Sequence, residues 1–162
     1  MVQILERKQG RLPDIVNRET RSRMMSGIKG KDTKPEILLR TGLHRLGFRY
    51  RLHARNLPGQ PDIVLAKWHA IIFVHGCFWH GHDCHLFKMP STRTEFWRNK
   101  IAGNAQRDSK AIWQLANDGW RIGTIWECAL KGRTRRQLND VLRQTEHWLK
   151  HGSGNLVISG TE

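Results

Sequence analysis

Short runs of apolar residues in the middle of the chain predict three β-strands. Residues 48–52, FRYRL, alternate large apolar with basic side chains, as a half-buried strand does, and the turn-rich NLPGQP follows them. Two further runs, DIVLA at 62–66 and AIIFV at 70–74, are separated by only three residues and predict a hairpin. Because the second run is apolar throughout, it indicates a central strand covered on both faces.

Apolar positions at helical spacing, bounded by capping residues and glycines, predict four helices. The clearest of them begins at Asp32 or Thr33 and carries Pro35 in its first turn. It stops at Gly47. The other helices are predicted over about 20–28, 92–118 and 134–150.

A strand predicted after the long helix decides the topology. Residues 120–126, WRIGTIW, follow a helical crossover, and a crossover of that length lets the strand lie parallel to a strand of the hairpin. The predicted fold is therefore of the α/β class, with helices packed on a mixed sheet. With 38% hydrophobic residues among 162, the chain has material for one core. We expect one domain over 20–150, between a flexible N-terminal segment, 1–19, and a flexible tail, 151–162.

The charge balance indicates a polyanionic partner. Twenty-eight Lys and Arg against 14 Asp and Glu leave a formal charge of +14, and basic residues recur along the whole chain. We therefore predict a nucleic-acid-binding protein, although composition does not distinguish DNA from RNA. No apolar run approaches the roughly 18 to 20 residues of a membrane span, and the N-terminus lacks a signal-peptide pattern, so we expect a soluble, intracellular protein.

Asp62 is the first candidate for catalysis. It follows the stiff turn PGQP at 58–61 and opens a predicted strand, so its carboxylate is placed at a sheet end, where it can ligate a hard cation such as Mg²⁺. The alternative is that Asp62 only completes the turn. A Pro-Asp pair before a hairpin and a crossover is typical of the PD-(D/E)xK nuclease core. The acid-x-lysine usual on the second hairpin strand is replaced here by Val74, His75 and Gly76.

The segment 75–87, HGCFWHGHDCHLF, concentrates metal-ligating residues, with four histidines and two of the three cysteines. Cys77, Cys84 and one of these histidines can supply three tetrahedral zinc ligands, and Cys128 can supply the fourth. The alternative is that the cysteines are ordinary buried packing residues. Closure by a residue so distant in sequence would pin the segment to the far strand, so the predicted zinc site is structural.

Two adjacent aromatic residues, Phe78 and Trp79, also lie in this segment, and both cannot pack inward on a regular strand. In a zinc-held loop they are free to protrude. Aromatic wedges of this kind unstack a mismatched base pair at lower cost than a matched one. The histidines of this segment that do not bind the metal are candidates for catalysis near Asp62.

The chain closely resembles the very short patch repair endonucleases in five stretches: TRSRMMSGIKGKDTKPE, LPGQPDIV, IIFVHGCFWHGHDCHLFK, STRTEFWRNKIAGN and RDSKAIWQLANDGWRIGTIWECAL. The resemblance covers residues 20 to about 132 in order, without large gaps. It implies a PD-(D/E)xK-like enzyme that nicks one strand of duplex DNA 5′ of the thymine in a T:G mismatch left by deamination of 5-methylcytosine. Members of this family also lack the acid-x-lysine pair.

The resemblance implies roles for particular residues. Asp62 ligates two Mg²⁺ ions with help from the carbonyl of Val74, at a position where the family commonly has threonine. His80 activates the attacking water, and His75 sits beside the phosphate. His82 is the histidine of the zinc site. Two acidic residues on predicted helices, Glu36 and Asp108, are candidates for orienting the metal ligands or catalytic groups through hydrogen bonds.

For DNA binding, the resemblance implies that Trp97 joins Phe78 and Trp79 in a wedge that enters from the major groove, and that Met25 enters from the minor groove. The alternative for Trp97 and Met25 is ordinary helix packing. The resemblance also implies that the partner is double-stranded DNA with a T:G mismatch, and that the protein cooperates with mismatch-repair proteins and a cytosine-5 methyltransferase. It implies a location in a bacterial cytoplasm, in association with the nucleoid. Because a nicking enzyme needs only one active site, we expect a monomer.

Two other functions fit part of the pattern. A zinc-stabilised DNA-binding module without catalysis accounts for the charge, the cysteines and the aromatics, but it leaves Asp62 and the surplus histidines without a role. An RNA-binding protein accounts for the charge, yet the sequence shows neither the sheet-surface aromatics nor the GXXG loop usual in RNA modules.

Overall fold

The computed structural model describes residues 16–161, and within that range the chain forms five β-strands and four α-helices. The strands are β1 (Arg51–Leu52), β2 (Ile63–Leu65), β3 (Ala70–His75), β4 (Arg121–Trp126) and β5 (Leu156–Ile158). The helices are α1 (Arg18–Ser26), α2 (Lys34–Arg45), α3 (Thr94–Asn117) and α4 (Leu138–His151). No helix in the described range is long and apolar enough to cross a membrane.

The strands form one mixed sheet in the order β1-β2-β3-β4-β5. The first three are antiparallel neighbours, whereas β4 runs parallel to β3 and β5 runs parallel to β4. The predicted hairpin and the predicted parallel crossover strand are therefore confirmed. All six residues of β3 are buried, as its uninterrupted apolar run predicts.

Alternate residues of the central strands point to opposite faces of the sheet, and helices pack on both faces. On one face Ile72 lies in a buried cluster with Leu39 and Leu43 of α2 and with the apolar side of α4. On the other face Ile71 lies in a cluster with Leu115 of α3. Both faces of the sheet are thus covered by apolar packing.

The helix boundaries follow local hydrogen bonding. At the start of α2, the Thr33 side chain accepts a hydrogen bond from the Glu36 backbone N–H, as a helix N-cap does. The last helix begins at Leu138 rather than at the predicted residue 134. The segment before it is held in a non-helical path, since the Arg136 backbone N–H donates to the carbonyl of Ala129 at 2.8 Å.

The C-terminal region differs from the flexible tail predicted over 151–162. Strand β5 pairs with β4, and Ile158 is only 1% exposed. The Nε of Arg136 donates a hydrogen bond to the Ser159 carbonyl at 2.6 Å, which holds the chain beyond β5. Three strand residues after a Gly-Ser-Gly sequence carry too little periodicity to reveal a strand. At the other terminus, residues 1–15 of the predicted flexible segment lie outside the described residues.

Candidate functional site

A cleft of about 1040 Å³ opens at the end of the sheet where β2 begins and β3 ends. The antiparallel pairing of these strands places Asp62, just before β2, beside the end of β3. Five Lys and Arg side chains line the cleft: Lys29, Lys34, Lys100, Arg107 and Lys131. The cleft also brings together the six residues that the sequence predicts for catalysis, its metal or their support: Glu36, Asp62, Val74, His75, His80 and Asp108.

Asp62 is held by the neighbouring strand, since its Oδ2 accepts a hydrogen bond from the Val74 backbone N–H at 2.7 Å. Burial raises the pKa of Asp62 to about 6; the Val74 hydrogen bond opposes this shift and the charge of Glu36 adds to it. A cation bound here would offset the cost of burying the negative charge. Carboxylate and backbone carbonyl oxygens are the ligands that magnesium prefers, so this donor set fits Mg²⁺.

Glu36 lies on the first turn of α2 and is only 3% exposed. Its two carboxylate oxygens are already engaged: Oε2 accepts from the Asp32 backbone N–H at 2.9 Å, and Oε1 accepts from the Thr33 hydroxyl at 3.2 Å. These bonds fix the carboxylate at the helix start, where the helix dipole favours a negative charge. Glu36 therefore contributes a fixed negative charge beside Asp62.

His75 and His80 stack face to face, with ring centroids 3.9 Å apart and planes inclined by 3°. Burial and the neighbouring His80 together lower the pKa of His75 to about 4, against an opposing effect of Asp108, so His75 is neutral at pH 7. A neutral imidazole at this position can exchange hydrogen bonds with a phosphate oxygen or a water without adding charge.

His80 is oriented by Asp108 of α3, whose Oδ2 lies 2.5 Å from Nδ1 of the imidazole. Burial acts to raise the pKa of Asp108, but the hydrogen bond from His80 and the nearby positive charges outweigh it and lower the pKa. Asp108 is thus an anion at neutral pH. With Nδ1 turned to this carboxylate, the Nε2 of His80 is the nitrogen left to take a proton from a water.

His53 is a cleft neighbour that the sequence predictions did not include. Its Nδ1 lies 3.9 Å from Oδ1 of Asp62, and its Nε2 lies 3.3 Å from Oδ1 of Asp32. No local pattern marks this residue, because its position depends on the register of β1 on β2. In the structure Leu52 pairs with Ile63, so the next residue, His53, lies opposite Asp62, and its backbone N–H donates to the Asp62 carbonyl.

The three cysteines and one histidine form a separate cluster. One potential ligand atom from each of Cys77, His82, Cys84 and Cys128 lies within 4.8 Å of all the others. The Cys128 Sγ and His82 Nδ1 atoms are 3.6 Å apart. Tetrahedral zinc, with Zn–S near 2.3 Å and Zn–N near 2.0 to 2.1 Å, separates such a pair by about 3.6 Å. The donor set and its spacing therefore fit zinc.

The other two histidines that the sequence left open for this cluster are engaged elsewhere. His80 contacts Asp108, and His85 Nδ1 lies 3.2 Å from the Thr134 hydroxyl oxygen. Burial raises the pKa of the Cys77 and Cys128 thiols, so their thiolates need a cation beside them. This cluster could bind a metal, and His82 is the histidine whose ring reaches it.

Aromatic side chains form a contiguous group next to the cleft. Phe78, Trp79 and Trp97 contact one another with ring centroids 5.1 to 5.9 Å apart, and all three are partly exposed. Trp79 lines the cleft itself. The placement of Phe78 and Trp79 in a loop agrees with the expectation that they are not both buried in a strand.

Helix α1 stands apart from the core, because none of its residues is buried. Met24 is 64% exposed and Met25 is 44% exposed. The chain after this helix reaches the cleft, where Gly27 and Ile28 join the lining. Met25 therefore does not have the core-packing role that was the alternative to DNA contact.

Several known proteins similar to this chain are DNA endonucleases or nicking enzymes. The model of the family described as DNA mismatch endonuclease Vsr matches residues 13–86. The chain is 42% identical over 138 residues to the DNA mismatch endonuclease Vsr of Escherichia coli (strain K12), covering 85% of this chain and 88% of that protein. It is 40% identical over 133 residues to the type II nicking enzyme V.XorIIP of Xanthomonas oryzae pv. oryzae, covering 81% of this chain and 98% of that enzyme.

A further relative is the type II nicking enzyme V.NmeAIP of Neisseria meningitidis serogroup A, at 42% identity over 135 residues, 82% of this chain and 96% of the relative. Together with the acid- and histidine-lined cleft, these similarities define a DNA endonuclease. The chain belongs to the DNA mismatch endonuclease Vsr family, as the sequence resemblance predicts.

Proposed function

We propose that this endonuclease nicks one strand of duplex DNA 5′ of the thymine in a T:G mismatch produced by deamination of 5-methylcytosine, with magnesium as the catalytic ion and zinc as a structural ion. The observation that carries the proposal is the convergence of Asp62, His75 and the His80–Asp108 pair in one cleft lined with basic residues. We assign this arrangement to a PD-(D/E)xK-like core in which the usual acid-x-lysine is absent.

In this proposal Asp62 and the carbonyl of Val74 hold magnesium, which would neutralise charge on the scissile phosphate when bound. His80, oriented by Asp108, accepts a proton from the attacking water at Nε2. The water oxygen bonds to phosphorus as the bond from phosphorus to the 3′ oxygen breaks, the leaving 3′ oxygen takes up a proton from solvent, and the Asp108 carboxylate stabilises the imidazolium of His80. His75, kept neutral by burial, stays within hydrogen-bonding reach of the phosphate without competing for the proton.

DNA binding is proposed to divide between two kinds of side chain. The Lys and Arg residues that line the cleft contact phosphates, which gives affinity without sequence preference. Phe78, Trp79 and Trp97 press on the base pairs from one side of the bound duplex and Met25 presses from the other. Their insertion is cheapest at a mismatch, where stacking and pairing are already weak.

The proposed substrate is tested with end-labelled duplexes that differ at one base pair. We expect a single nick 5′ of the thymine in the T:G duplex in the presence of Mg²⁺, and no cut when Mg²⁺ is replaced by EDTA. A matched T:A duplex and a G:G duplex serve as controls. Equal cutting of all duplexes, or cutting of both strands at the T:G pair, contradicts the proposed specificity.

Removing one aromatic ring is expected to reduce discrimination more than affinity. For Phe78→Ala or Trp97→Ala, we expect the affinity ratio between T:G and T:A duplexes to fall by an amount equivalent to roughly 1 to 3 kcal/mol, the usual stacking contribution of a base. Phosphate contacts are sequence-independent and remain. The measurement is a competition binding assay without Mg²⁺.

The matched control for this prediction is Trp113→Ala, which removes an aromatic side chain that is 66% exposed on α3 and does not line the cleft. Its ratio is expected to equal that of the parent. Equal losses on both duplexes for Phe78→Ala and Trp97→Ala would show that these rings only pack against each other.

The second candidate function is a zinc-stabilised DNA-binding module without catalysis, which the basic lining and the cysteine cluster also fit. Magnesium-dependent nicking excludes it. Cooperation with mismatch-repair proteins or a cytosine-5 methyltransferase stays a prediction of the family resemblance, as does a monomeric state.

A further inference from the structure

We propose that His53 is a positioning residue that holds the Asp62 carboxylate in the orientation required for magnesium. The inference rests on the proposed function, because it concerns the same metal. It is based on the place of the His53 imidazole, whose two nitrogens face different carboxylates: Nδ1 faces Asp62 at 3.9 Å, and Nε2 faces Asp32 at 3.3 Å and Glu36 at 3.9 Å.

The backbone of His53 supports a specific role for its side chain. His53 has φ = 48°, in the left-handed region that costs a non-glycine residue free energy. Its N–H donates to the carbonyl of Asp62 at 3.1 Å, so the two residues are joined through the main chain as well. From this position the imidazole faces the carboxylates of Asp62, Asp32 and Glu36.

The other end of the imidazole is anchored to helix α2. Asp32, which faces Nε2 of His53, also forms an ion pair with Arg40 at 2.6 Å, and Arg40 lies on α2. A continuous polar chain thus runs from Arg40 through Asp32 and His53 to Asp62. Because Arg40 and Asp32 limit the movement of the ring, the ring in turn limits the rotation of the Asp62 carboxylate.

The constraint on Asp62 matters because its two carboxylate oxygens have different contacts. Oδ2 is fixed by the Val74 amide, whereas Oδ1 is the oxygen that His53 faces. The imidazole also lies between Asp62 and the buried charge of Glu36. Removing the ring would let Asp62 turn and would leave two buried carboxylates without the polar group between them. We therefore expect the metal affinity to fall, not the chemistry at saturating metal.

The test compares His53→Ala and His53→Gln with the parent and with His147→Ala, an exposed histidine on α4 outside the cleft. We expect His53→Ala to raise the Mg²⁺ concentration for half-maximal nicking roughly tenfold, the lower end of effects seen when a ligand-supporting residue is removed. The maximal rate at saturating Mg²⁺ stays near that of the parent. His53→Gln, whose amide retains polar contacts, recovers part of the affinity, and His147→Ala matches the parent.

A second readout does not depend on activity. The dissociation constant of Mn²⁺, measured by electron paramagnetic resonance of the free ion in the absence of DNA, is expected to rise in parallel for His53→Ala, while the metal-free thermal midpoint of His53→Gln stays at the parent value. Unchanged metal dependence in both His53 variants would overturn the inference. So would a lower maximal rate with unchanged metal dependence, since that places His53 in the chemistry.

The two levels of proposal fail in distinguishable ways. If the parent nicks without a divalent metal, or if Asp62→Ala still nicks, the proposed function fails and the role of His53 fails with it. If the parent requires both the metal and Asp62 while the His53 variants keep the parent's metal dependence in both readouts, only the inference about His53 fails.

Discussion

Asp62→Ala is expected to abolish nicking of the T:G duplex while leaving DNA affinity nearly unchanged. Asp62 supplies the one carboxylate proposed to hold magnesium directly, and several kcal/mol of transition-state stabilisation depend on that ion, which corresponds to a loss of roughly a thousandfold or more. Phosphate binding depends instead on many Lys and Arg side chains, which the substitution does not touch. The measurements are single-turnover nicking rates and duplex binding without Mg²⁺.

Folding provides the control for this loss. Because burial disfavours the Asp62 anion, removing the charge does not weaken the metal-free fold, and we expect the thermal midpoint of Asp62→Asn at pH 7 not to fall below that of the parent. Asp118→Ala changes an exposed aspartate at the end of α3 and should leave both nicking and binding intact. Nicking by Asp62→Ala within about tenfold of the parent would remove this residue from the catalytic centre.

The core of the fold was predictable because its elements carry strong local signals. The apolar run of β3 and the long helix before β4 each exceed what a loop would contain, and together they specify a hairpin followed by a parallel crossover. The same topology explains why Asp62 and His75, thirteen positions apart in sequence, meet at one sheet edge. The position of most candidate site residues can therefore be predicted from the order of the strands.

The features that the sequence did not reveal depend on contacts between distant segments. Strand β5 has three residues, and its stability comes from pairing with β4 and from the Arg136 bond to Ser159, neither of which leaves a periodic pattern. His53 looked like a single histidine in a loop. Its relevance arises from the register of β1 on β2 and from a left-handed backbone conformation, both of which are tertiary properties.

The choice of the histidine that joins the cysteine cluster also depends on tertiary contacts. Spacing alone left His80, His82 and His85 open, since all three lie within a few residues of Cys77 and Cys84. The ring that reaches the cysteine cluster is selected by the path of the loop, together with the partners Asp108 and Thr134 that engage the other two.

Loss of the proposed structural zinc is expected to have the largest effect on stability. Through this ion Cys128 would join the 77–84 loop to the end of β4 across more than forty residues, and in a structural zinc site the binding free energy is folding free energy, on the order of 10 kcal/mol at neutral pH. Since a small domain is stable by only about 5 to 15 kcal/mol, losing a ligand removes most of that margin. We expect Cys128→Ser, or prolonged chelation, to unfold or loosen the protein, as measured by circular dichroism and zinc content.

The two histidines of the same loop supply a matched pair for this prediction. His82→Ala removes a proposed ligand and should release zinc and lower the thermal midpoint sharply, whereas His85→Ala removes a ring that contacts the Thr134 hydroxyl outside the cysteine cluster and should retain one zinc ion per chain. The loop also carries His80, Phe78 and Trp79, so a zinc-free protein should lose nicking and mismatch discrimination together. Fully active protein without zinc, or equal effects of the two histidine substitutions, would contradict a structural zinc held by Cys77, His82, Cys84 and Cys128.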